Sequence, residues 1–433
     1  MLSCFKIMQI IRHYRILLFD FAYDILLLDK IQSFFTETVS CFGKFQSRGW
    51  WIPFMKIALL GFGVVGRGVY ELAAARSDIQ VTHVLSRRDL SLPGVVVTND
   101  FQEILLDSSI DTVVEVMGGL HPAWDYVRAS IEAGKNVVTA NKAMVAEFYD
   151  ELVALIERHN VKFRCTAAVG GGISWLSELE RVRRCESIRM VGGIMNGTCN
   201  FILDAMTKGG LTYTEALMQA QQLGYAEANP SADVDGIDTW HKLIISCNVA
   251  FGVSLNRHQI PVCGIRNILA EDVAQFHNHG LCCKLAATGL MQGGQFSAYV
   301  QPTLYPHSDI EATVPENYNL ITFEGNTSGR HSFYGQGAGR YPTAYNVVQD
   351  CVDFTQGRGF YAPLHSAEQV CNHQKMRYYV RGAADSWLES HTSDRWGKAV
   401  ITQPVSVEDM HAWCAKYPTV FIAALSERKD IPC

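Results

Sequence analysis

MKIALLGFGVVG, residues 55–66, is an apolar run that ends in a turn of three glycines. The run predicts a buried strand, and residues 67–75 predict a helix directly after it. In such a unit Gly61 permits the tight turn, Gly63 lets a pyrophosphate approach the backbone, and Gly66 lets helix and strand pack closely. The free amides and the dipole at the helix start favour a phosphate. The stretch therefore predicts a dinucleotide site, with a turn made only for packing as the alternative.

Predicted strands and helices alternate after this turn, which indicates an α/β fold with a Rossmann-type, doubly wound parallel sheet. Gly118 and Gly119 end one of the strands and are assigned to the cofactor site. The predicted strands are residues 79–85, 111–117, 136–139 and 161–166, and the predicted helices are residues 122–133 and 146–159.

The end of the second predicted strand carries Ser86, Arg87 and Arg88. An enzyme that uses NAD commonly has an acidic residue here for the ribose hydroxyls, whereas arginines suit a 2′-phosphate. Asp89 follows directly, so a solvated charge pair on a loop is the alternative. We expect NADP as the cofactor, with NAD as the second possibility.

Composition and charge limit the classes of protein to which this chain can belong. The chain has 433 residues, is 48% hydrophobic and has a formal net charge of -6. It lacks the basic field that a nucleic-acid partner would need. The 13 cysteines form no Cys-x-x-Cys pair, which indicates a reduced, cytoplasmic protein.

The first 54 residues stand apart from the pattern that follows. The apolar run at residues 17–28 contains Asp20 and Asp24 and is too short to span a bilayer, so no membrane association is expected. An added amphipathic helix and an extension foreign to the natural protein are the two interpretations. We favour the second, since Met55 directly precedes a self-sufficient strand.

The pattern divides the rest of the chain into three parts. Residues 55–185 form the predicted cofactor domain, which residues 335–352 complete as a helix that starts with glycines. Residues 186–334 mix short strands and helices and predict an α+β catalytic and dimerisation domain. Residues 370–433 predict a small α+β module, with strands at residues 377–382 and 420–425 around a helix at residues 407–416.

Two stretches carry residues suited to chemistry. Lys142 follows a predicted strand at the sheet edge where α/β folds bind ligands, although a surface lysine at a helix start is the ordinary alternative. Residues 223–242, LGYAEANPSADVDGIDTWHK, concentrate acids with one lysine. Asp238 and Lys242 are four residues apart and so share a helix face. A calcium loop does not fit the spacing, and a surface acidic loop is the alternative.

Six motifs taken together resemble the homoserine dehydrogenase family. They are GFGVVG, TANKAMVA, AVGGGI, MNGTCNFIL, GYAEANPSADVDGID and FYGQGAGRYPTA, and they occur in the family's order between Met55 and about Asp350.

The resemblance implies a role for each matching residue. Lys242 would be the proton donor, with Asp238 supporting it and Lys142 near nicotinamide and substrate. Glu227 would bind the substrate's ammonium group. The remaining substrate residues would be Asp233, Tyr225, Asn196, Gly197 and Thr198, and the remaining cofactor residues Gly61, Phe62, Gly63, Val64, Val65, Gly66, Gly337 and Gly339.

The resemblance also implies the reaction and its setting. The protein would interconvert L-homoserine and L-aspartate 4-semialdehyde by hydride transfer, in the biosynthesis of threonine and methionine. The family is typically a homodimer through its second domain. Another NAD(P) oxidoreductase of amino or hydroxy acids, or a non-catalytic NADP-binding sensor, are the alternatives.

The chain departs from the family's pattern at several positions. The family commonly binds a monovalent cation through a glutamate, where Thr166 stands here; the backbone carbonyls of Val169, Gly171 and Ile173 would remain. Ser174 replaces a common proline, and Asn229 replaces an aspartate of the substrate loop. The C-terminal stretch resembles a reduced or divergent ACT regulatory module, and we expect no allosteric control from it.

Overall fold

The computed structural model describes residues 54–359 and 369–426. The predicted N-terminal extension lies outside these residues except for Phe54, and so does the end of the predicted C-terminal module. Phe54 begins a single compact unit that contains all the elements below. Within the described residues, no helix is long and apolar enough to cross a membrane.

The first sheet is parallel throughout, which confirms the predicted Rossmann-type architecture. Its strands follow the order β3-β2-β1-β4-β5-β6. The second and third strands therefore lie on one side of β1, and the later strands lie on its other side. Side chains such as Ile57, Leu59 and Leu60 are fully buried, each worth about 1.5–3 kcal/mol of transfer free energy. The strands are β1 (Met55–Leu60), β2 (Ile79–Leu85), β3 (Val96–Thr98), β4 (Thr112–Glu115), β5 (Asn136–Thr139) and β6 (Phe163–Arg164).

Helices cover this sheet; the one at Phe101–Leu106 was not predicted, and another differs from its predicted form. The helix expected at residues 146–159 is two helices that meet at Phe148, whose ring stacks on Trp124 with centroids 4.6 Å apart. The first begins earlier than expected because the Asn141 side chain accepts a hydrogen bond from Met144 N and caps it. The helices are α1 (Val64–Ala74), α2 (Phe101–Leu106), α3 (Ala123–Glu132), α4 (Lys142–Glu147) and α5 (Tyr149–His159).

The next segment forms a second sheet with helices packed against it, as the pattern predicted. A 3₁₀ turn at Thr166–Ala168 leads into it, and two more lie at Arg257–Gln259 and Ile310–Thr313. Its elements are α6 (Trp175–Val182), β7 (Ile188–Ile194), α7 (Gly197–Gly209), α8 (Tyr213–Gln222), α9 (Ser231–Val234), α10 (Ile237–Phe251), α11 (Ala270–Asn278), β8 (Leu281–Gln292), β9 (Gln295–Pro306), β10 (Tyr318–Gly325) and β11 (Gly329–Gln336).

Helix α12 (Arg340–Thr355) returns the chain to the first sheet. It packs on α1 at Gly68, where an added Cβ would lie 2.9 Å from the Ala344 Cβ. Val69, Ala344 and Val347 share one buried cluster with β1. This crossing brings the glycines that precede α12 towards the dinucleotide turn.

Four of the six C-terminal strands extend the second sheet, whereas the two at Lys375–Met376 and Val405–Ser406 pair with each other as a separate two-stranded sheet. Strand β17 pairs in parallel with β9, and the nine-stranded order is β11-β10-β7-β8-β9-β17-β13-β15-β14. The elements are β12 (Lys375–Met376), β13 (Tyr378–Arg381), α13 (Ser386–Ser390), β14 (Thr392–Trp396), β15 (Ala399–Thr402), β16 (Val405–Ser406), α14 (Val407–Cys414) and β17 (Phe421–Leu425).

Candidate active site

The glycine turn has the geometry that a dinucleotide needs. Gly61 has a φ of 100°, and an added Cβ at Gly66 would lie 2.3 Å from Gly61 O, so both positions require glycine. Gly63 precedes α1 without a side-chain cap, and an added Cβ there would meet nothing within 4 Å. Val64 is exposed, and Val65 and Phe62 flank the turn. The open amides at the start of α1 therefore fit a pyrophosphate.

A second rim of the site lies where β4 and β5 end. Gly118 and Gly119 both have positive φ and open space where a Cβ would stand. The carboxylate of buried Glu115 accepts hydrogen bonds from Met117 N at 2.7 Å and Gly118 N at 3.2 Å, and the Thr139 hydroxyl donates to it at 2.5 Å. Burial raises the pKa of Glu115. The sequence pattern did not reveal this carboxylate, which shapes the Gly118–Gly119 turn.

The two arginines after β2 lie at the same edge. Both are exposed, and the Arg88 guanidinium donates to the carbonyl of Phe62 inside the glycine turn. The Arg88 N–H donates to Ser86 Oγ at 3.0 Å, which bends the loop back. Arg88 therefore stands beside the dinucleotide turn, while Arg87 extends into solvent.

Asp238 joins the two lysines that the sequence analysis singled out. Its Oδ1 lies 2.8 Å from Lys142 Nζ and its Oδ2 lies 2.7 Å from Lys242 Nζ. Lys142 is the first residue of α4, where the helix dipole disfavours a cation, and the carboxylate offsets that cost. Helix α10 supplies both Asp238 and Lys242, and their spacing of four residues places them on one face.

Exposure separates the two lysines. The Lys142 side chain is 40% exposed, whereas Lys242 is 7% exposed. Lys242 Nζ also donates to Met195 O at 2.6 Å, so two of its three N–H donors are used by the protein. Lys242 therefore has one donor left for a ligand, and Lys142 faces the open side.

Charge stabilises this group. Burial alone would raise the pKa of Asp238, but the ammonium groups of Lys242 and Lys142 outweigh it and hold that pKa well below its ordinary value. In turn the Asp238 carboxylate raises the pKa of Lys142. Ionised Asp238 thus keeps Lys142 protonated.

Asn196 links the substrate loop to Asp238. It caps α7, and its Nδ2 donates to Asp233 Oδ1 at 2.6 Å and to Asp238 Oδ2 at 2.8 Å. Burial raises the pKa of Asp233, and the nearby charge of Asp238 adds to the effect. Gly197 and Thr198 begin α7, and an added Cβ at Gly197 would lie 2.5 Å from Asn317 O. Two of the predicted substrate residues, Asn196 and Asp233, therefore adjoin the carboxylate that holds the lysines.

The remaining predicted substrate residues lie on the surface of the loop before α9. Thr198 Oγ1 donates to Tyr225 O at 2.6 Å, and the Tyr225 ring packs on Phe201. Glu227 is exposed, and its charge contributes to the raised pKa of Lys142. Asn229 accepts hydrogen bonds from Ser231, so its side chain shapes the turn instead of facing the lysines.

The glycines before α12 meet the site from the other side. An added Cβ at Gly337 would lie 2.0 Å from Asn319 Nδ2, and Gly339 has a φ of 125° at the start of α12. Asn319 Nδ2 donates to Met195 O at 2.9 Å, the carbonyl that also receives Lys242. Asn319 Oδ1 is buried and has no hydrogen-bond partner among the described residues. An acceptor left open beside Gly337 fits a bound group with an N–H donor.

The three carbonyls assigned to a cation lie in the turn between the domains. Two of them accept hydrogen bonds from Asn346 Nδ2, Gly171 O at 2.6 Å and Ile173 O at 3.1 Å. Thr166, at the position of the family's glutamate, bonds through its hydroxyl to Ser177 and through its N–H to Asp350. Two of the three carbonyls are thus already engaged by an N–H donor, and Thr166 offers no carboxylate to a cation.

Comparison with known proteins identifies the family. The family model described as "Homoserine dehydrogenase" matches residues 175–352, and "Homoserine dehydrogenase, NAD binding domain" matches residues 61–166. The homoserine dehydrogenase of Synechocystis sp. is 38% identical over 315 residues, which cover 69% of this chain and 73% of that protein. That of Lactococcus lactis is 39% identical over 330 residues, which cover 71% and 77%.

The solved structures agree. A crystal structure of a homoserine dehydrogenase from Thiobacillus denitrificans matches with a TM-score of 0.76 at 29% identity, covering 86% of this chain and 98% of that one. These findings favour the predicted function over another oxidoreductase or a sensor. The chain therefore belongs to the homoserine dehydrogenase family, and it is an NAD(P)-dependent oxidoreductase of that family.

Proposed function

We propose that Lys242 is the group that gives a proton to, and takes it from, the substrate oxygen in the interconversion of L-aspartate 4-semialdehyde and L-homoserine. The single observation that carries this assignment is the Asp238 carboxylate, which holds Lys142 and Lys242 on its two oxygens. Lys242 has one N–H left, and Lys142 adds a second positive charge nearby. A carbonyl oxygen that gains negative charge needs both.

The residues around the lysines bind the rest of the substrate in this proposal. Glu227 and Asp233 offer carboxylates to its ammonium group, and Asn196 fixes Asp233. Tyr225, Gly197 and Thr198 hold the loop that carries them. The negative charges of this loop face the two ammonium groups, which balances the site before substrate arrives.

The chemistry then divides between cofactor and protein. A bound nicotinamide supplies the hydride to the carbonyl carbon, or accepts it in the reverse direction. Lys242 Nζ donates its proton to the oxygen as the C–H bond forms. Asp238 keeps both ammonium groups in position. Such an enzyme serves amino-acid biosynthesis, here towards threonine and methionine.

The test compares two lysines with the same local geometry. Lys242→Met should lower kcat for homoserine-dependent NADP⁺ reduction by about 10²–10⁴-fold, the usual contribution of a positioned acid or base. The signal is absorbance at about 340 nm, a property of the reduced nicotinamide. Lys208 also pairs with an aspartate four residues earlier but is 63% exposed, so Lys208→Met is the matched control and should keep its kcat.

Two results would contradict the assignment. One is a folded wild type with no turnover of homoserine by either NADP⁺ or NAD⁺. The other is a Lys242→Met variant as active as Lys208→Met.

We infer that the cofactor preferred is NADP, since Arg88 stands beside the glycine turn and Arg87 follows it in sequence. Arg87→Glu with Arg88→Glu should lower kcat/KM for NADP⁺ by at least about tenfold, because a phosphate loses a charge-assisted contact. Activity with NAD⁺ should change less. Arg128→Glu, an exposed arginine on α3, is the control. An equal loss with both cofactors would overturn the preference.

We also propose a homodimer formed through the second domain, in the cytoplasm. Strand β11 ends the nine-stranded sheet, and no described strand pairs with its outer edge. Tyr334 on β11 is exposed, as an interface position would be in a single chain. The proposed cytoplasmic location rests on a separate observation: the ten described cysteines are free, which suits a reducing compartment. Light scattering should give twice the chain mass, and Tyr334→Lys should reduce it.

The domain division is likewise a proposal. The contact of α12 with α1 supports a cofactor domain of residues 55–185 completed by residues 335–352. The lysine pair then lies where this domain meets residues 186–334.

A further inference from the structure

The turn between the 3₁₀ turn at Thr166–Ala168 and α6 brings several backbone carbonyls together. Gly170 and Gly171 have φ values of 82° and 54°, so the chain turns sharply there. Gly172 N donates to Gln336 O at 3.2 Å, and an added Cβ at Gly171 would lie 2.6 Å from the carbonyl carbon of Gly337. The shape of this turn therefore sets the position of the glycines that complete the cofactor site.

Carbonyl dipoles that converge need a positive partner. Gly171 O and Ile173 O both lie within hydrogen-bond distance of one nitrogen, and Ile173 O also accepts a hydrogen bond from Trp175 N at 2.8 Å. A buried carbonyl left without a donor costs about 1–3 kcal/mol. A cation could supply the charge, as the family resemblance implies. N–H donors could supply it equally.

In this chain Asn346 supplies the donors. Its side chain is fully buried on α12, and both N–H groups of its amide are used, at 2.6 Å to Gly171 O and 3.1 Å to Ile173 O. Ser174 Oγ donates to the Asn346 Oδ1 at 3.3 Å, which orients the amide. The Asn346 nitrogen thus stands within 3.1 Å of both oxygens, as a cation bound to them would.

The neighbouring carboxylate is also engaged. Asp350 lies one helical turn after Asn346 and contacts Thr166, where a cation-binding glutamate would stand. Its two oxygens accept hydrogen bonds from Arg164 Nε at 3.1 Å and from Thr166 N at 2.9 Å. Thr166 and Ser174, where this chain departs from the family's pattern, therefore both bond to side chains of α12: Thr166 to Asp350 and Ser174 to Asn346.

We propose that the Asn346 amide replaces a monovalent cation in holding this turn, so that the protein is independent of Na⁺ and K⁺. The proposal concerns the turn and goes beyond the proposed roles of the lysines. Because the Asn346 side chain is part of the protein, it should hold this turn whichever salt is present.

The experiment measures melting temperature and homoserine oxidation in choline chloride, NaCl and KCl at equal ionic strength. The wild type should show the same melting temperature and the same kcat in all three. Asn346→Ala removes the donors and leaves room. It should melt lower in choline chloride and recover saturably with NaCl or KCl, because an ion that binds only the folded state stabilises it by RT ln(1 + [L]/Kd).

The matched control is another buried asparagine that donates to backbone carbonyls. Asn200 Nδ2 donates to Glu316 O at 2.8 Å and also contacts Val314 O. Lys284 Nζ already lies 2.7 Å from Val314 O, and its charge should repel a cation. Asn200→Ala should therefore melt lower in all three salts alike.

Three outcomes would overturn the proposal: a wild type that gains melting temperature or kcat specifically with NaCl or KCl, an Asn346→Ala variant that melts alike in all three salts, or an Asn200→Ala variant rescued as well as Asn346→Ala. If Asn346→Ala does not fold, Asn346→Asp replaces it, since its carboxylate should bind the ion. The melting readout keeps this test separate from the proposed catalytic roles, because it needs no turnover.

Discussion

Two buried charge groups of this protein have opposite compositions. The lysine cluster, Lys142, Lys242 and Asp238, places two cations on one carboxylate. The arginine cluster places one cation, Arg164, among three carboxylates within 3.1–3.2 Å of its nitrogens. Those three carboxylates belong to Glu180, Asp350 and Asp353.

The difference shows which group is open to a ligand. In the lysine cluster Lys142 is 40% exposed, and Lys242 retains an unused donor. Every member of the arginine cluster is buried, and Arg164 also donates to Gly359 O and Ser177 Oγ. The lysine cluster, which keeps a free hydrogen-bond donor, can therefore bind a ligand. The arginine cluster, whose donors have protein partners, instead holds β6, α6 and α12 together.

Removing the cation of the arginine cluster should have the largest effect on stability. Arg164→Met removes the cation that the three buried carboxylates share, and only Asp353 has a second arginine, the exposed Arg358 at 3.6 Å, among the ion pairs of the described residues. Losing one side of a buried ion pair costs about 3–5 kcal/mol. Urea titrations measure this loss. Arg181→Met is the control, because its ion pair with Glu178 is on the surface and worth about 0–1 kcal/mol.

An Arg164→Met variant that folds and is as stable as the control would show that the arginine cluster is not a structural group. A kcat per folded molecule that falls as far as in Lys242→Met would show the same.

Removing the anion of the lysine cluster should act mainly on catalysis. Asp238→Asn leaves two ammonium groups without their carboxylate, and we expect kcat to fall about 10–100-fold, or 1.4–2.7 kcal/mol of barrier. Because Asp238 raises the pKa of Lys142, the alkaline limb of kcat for semialdehyde reduction should move to lower pH. Pre-steady-state and steady-state assays with NADPH measure both.

The control for this variant is Asp204→Asn, which removes the carboxylate partner of the exposed Lys208. It should leave the pH profile unchanged. A profile of Asp238→Asn that matches the wild type would show that Asp238 does not position the lysines electrostatically.

The two clusters also differ in what the sequence could reveal. Strands β2 and β5 have their predicted bounds, since alternation of apolar runs and glycine turns is a local signal. The spacing of Asp238 and Lys242 predicted one shared helix face. It could not show that Asp238 also reaches Lys142, because that contact joins α10 of the second domain to α4 of the first.

The arginine cluster and the Asn346 contacts left no local signal at all. Arg164 and Asp350 are 186 residues apart, and each is unremarkable in its own segment. The parallel pairing of β17 with β9 was equally hidden, since a strand pattern does not reveal its neighbour. Contacts across such separations arise only once the sheets have formed.

The smallest expected effect is a difference in how the two clusters respond to pH. Burial raises the pKa of Asp350 to about 6, although Arg164 and Thr166 oppose the rise. In the folded state Asp350 therefore binds its proton more tightly than in the unfolded state, and its contribution to stability falls as pH rises from about 4 to 6. The pKa of Asp238 is lowered, so its contribution is fully present above about pH 4 and is lost only as pH falls further.

Urea titrations of wild type, Asp350→Asn and Asp238→Asn at about pH 4.5 and pH 6.5 separate these responses, since neither amide titrates. The free energy of unfolding of the wild type relative to Asp350→Asn should drop by about 1–2 kcal/mol between the two pH values. Relative to Asp238→Asn it should stay level. Three carboxylates around one cation should hold a proton more readily than one carboxylate between two cations. If the unfolding free energy of the wild type changed equally with pH relative to both variants, this difference between the two clusters would be absent.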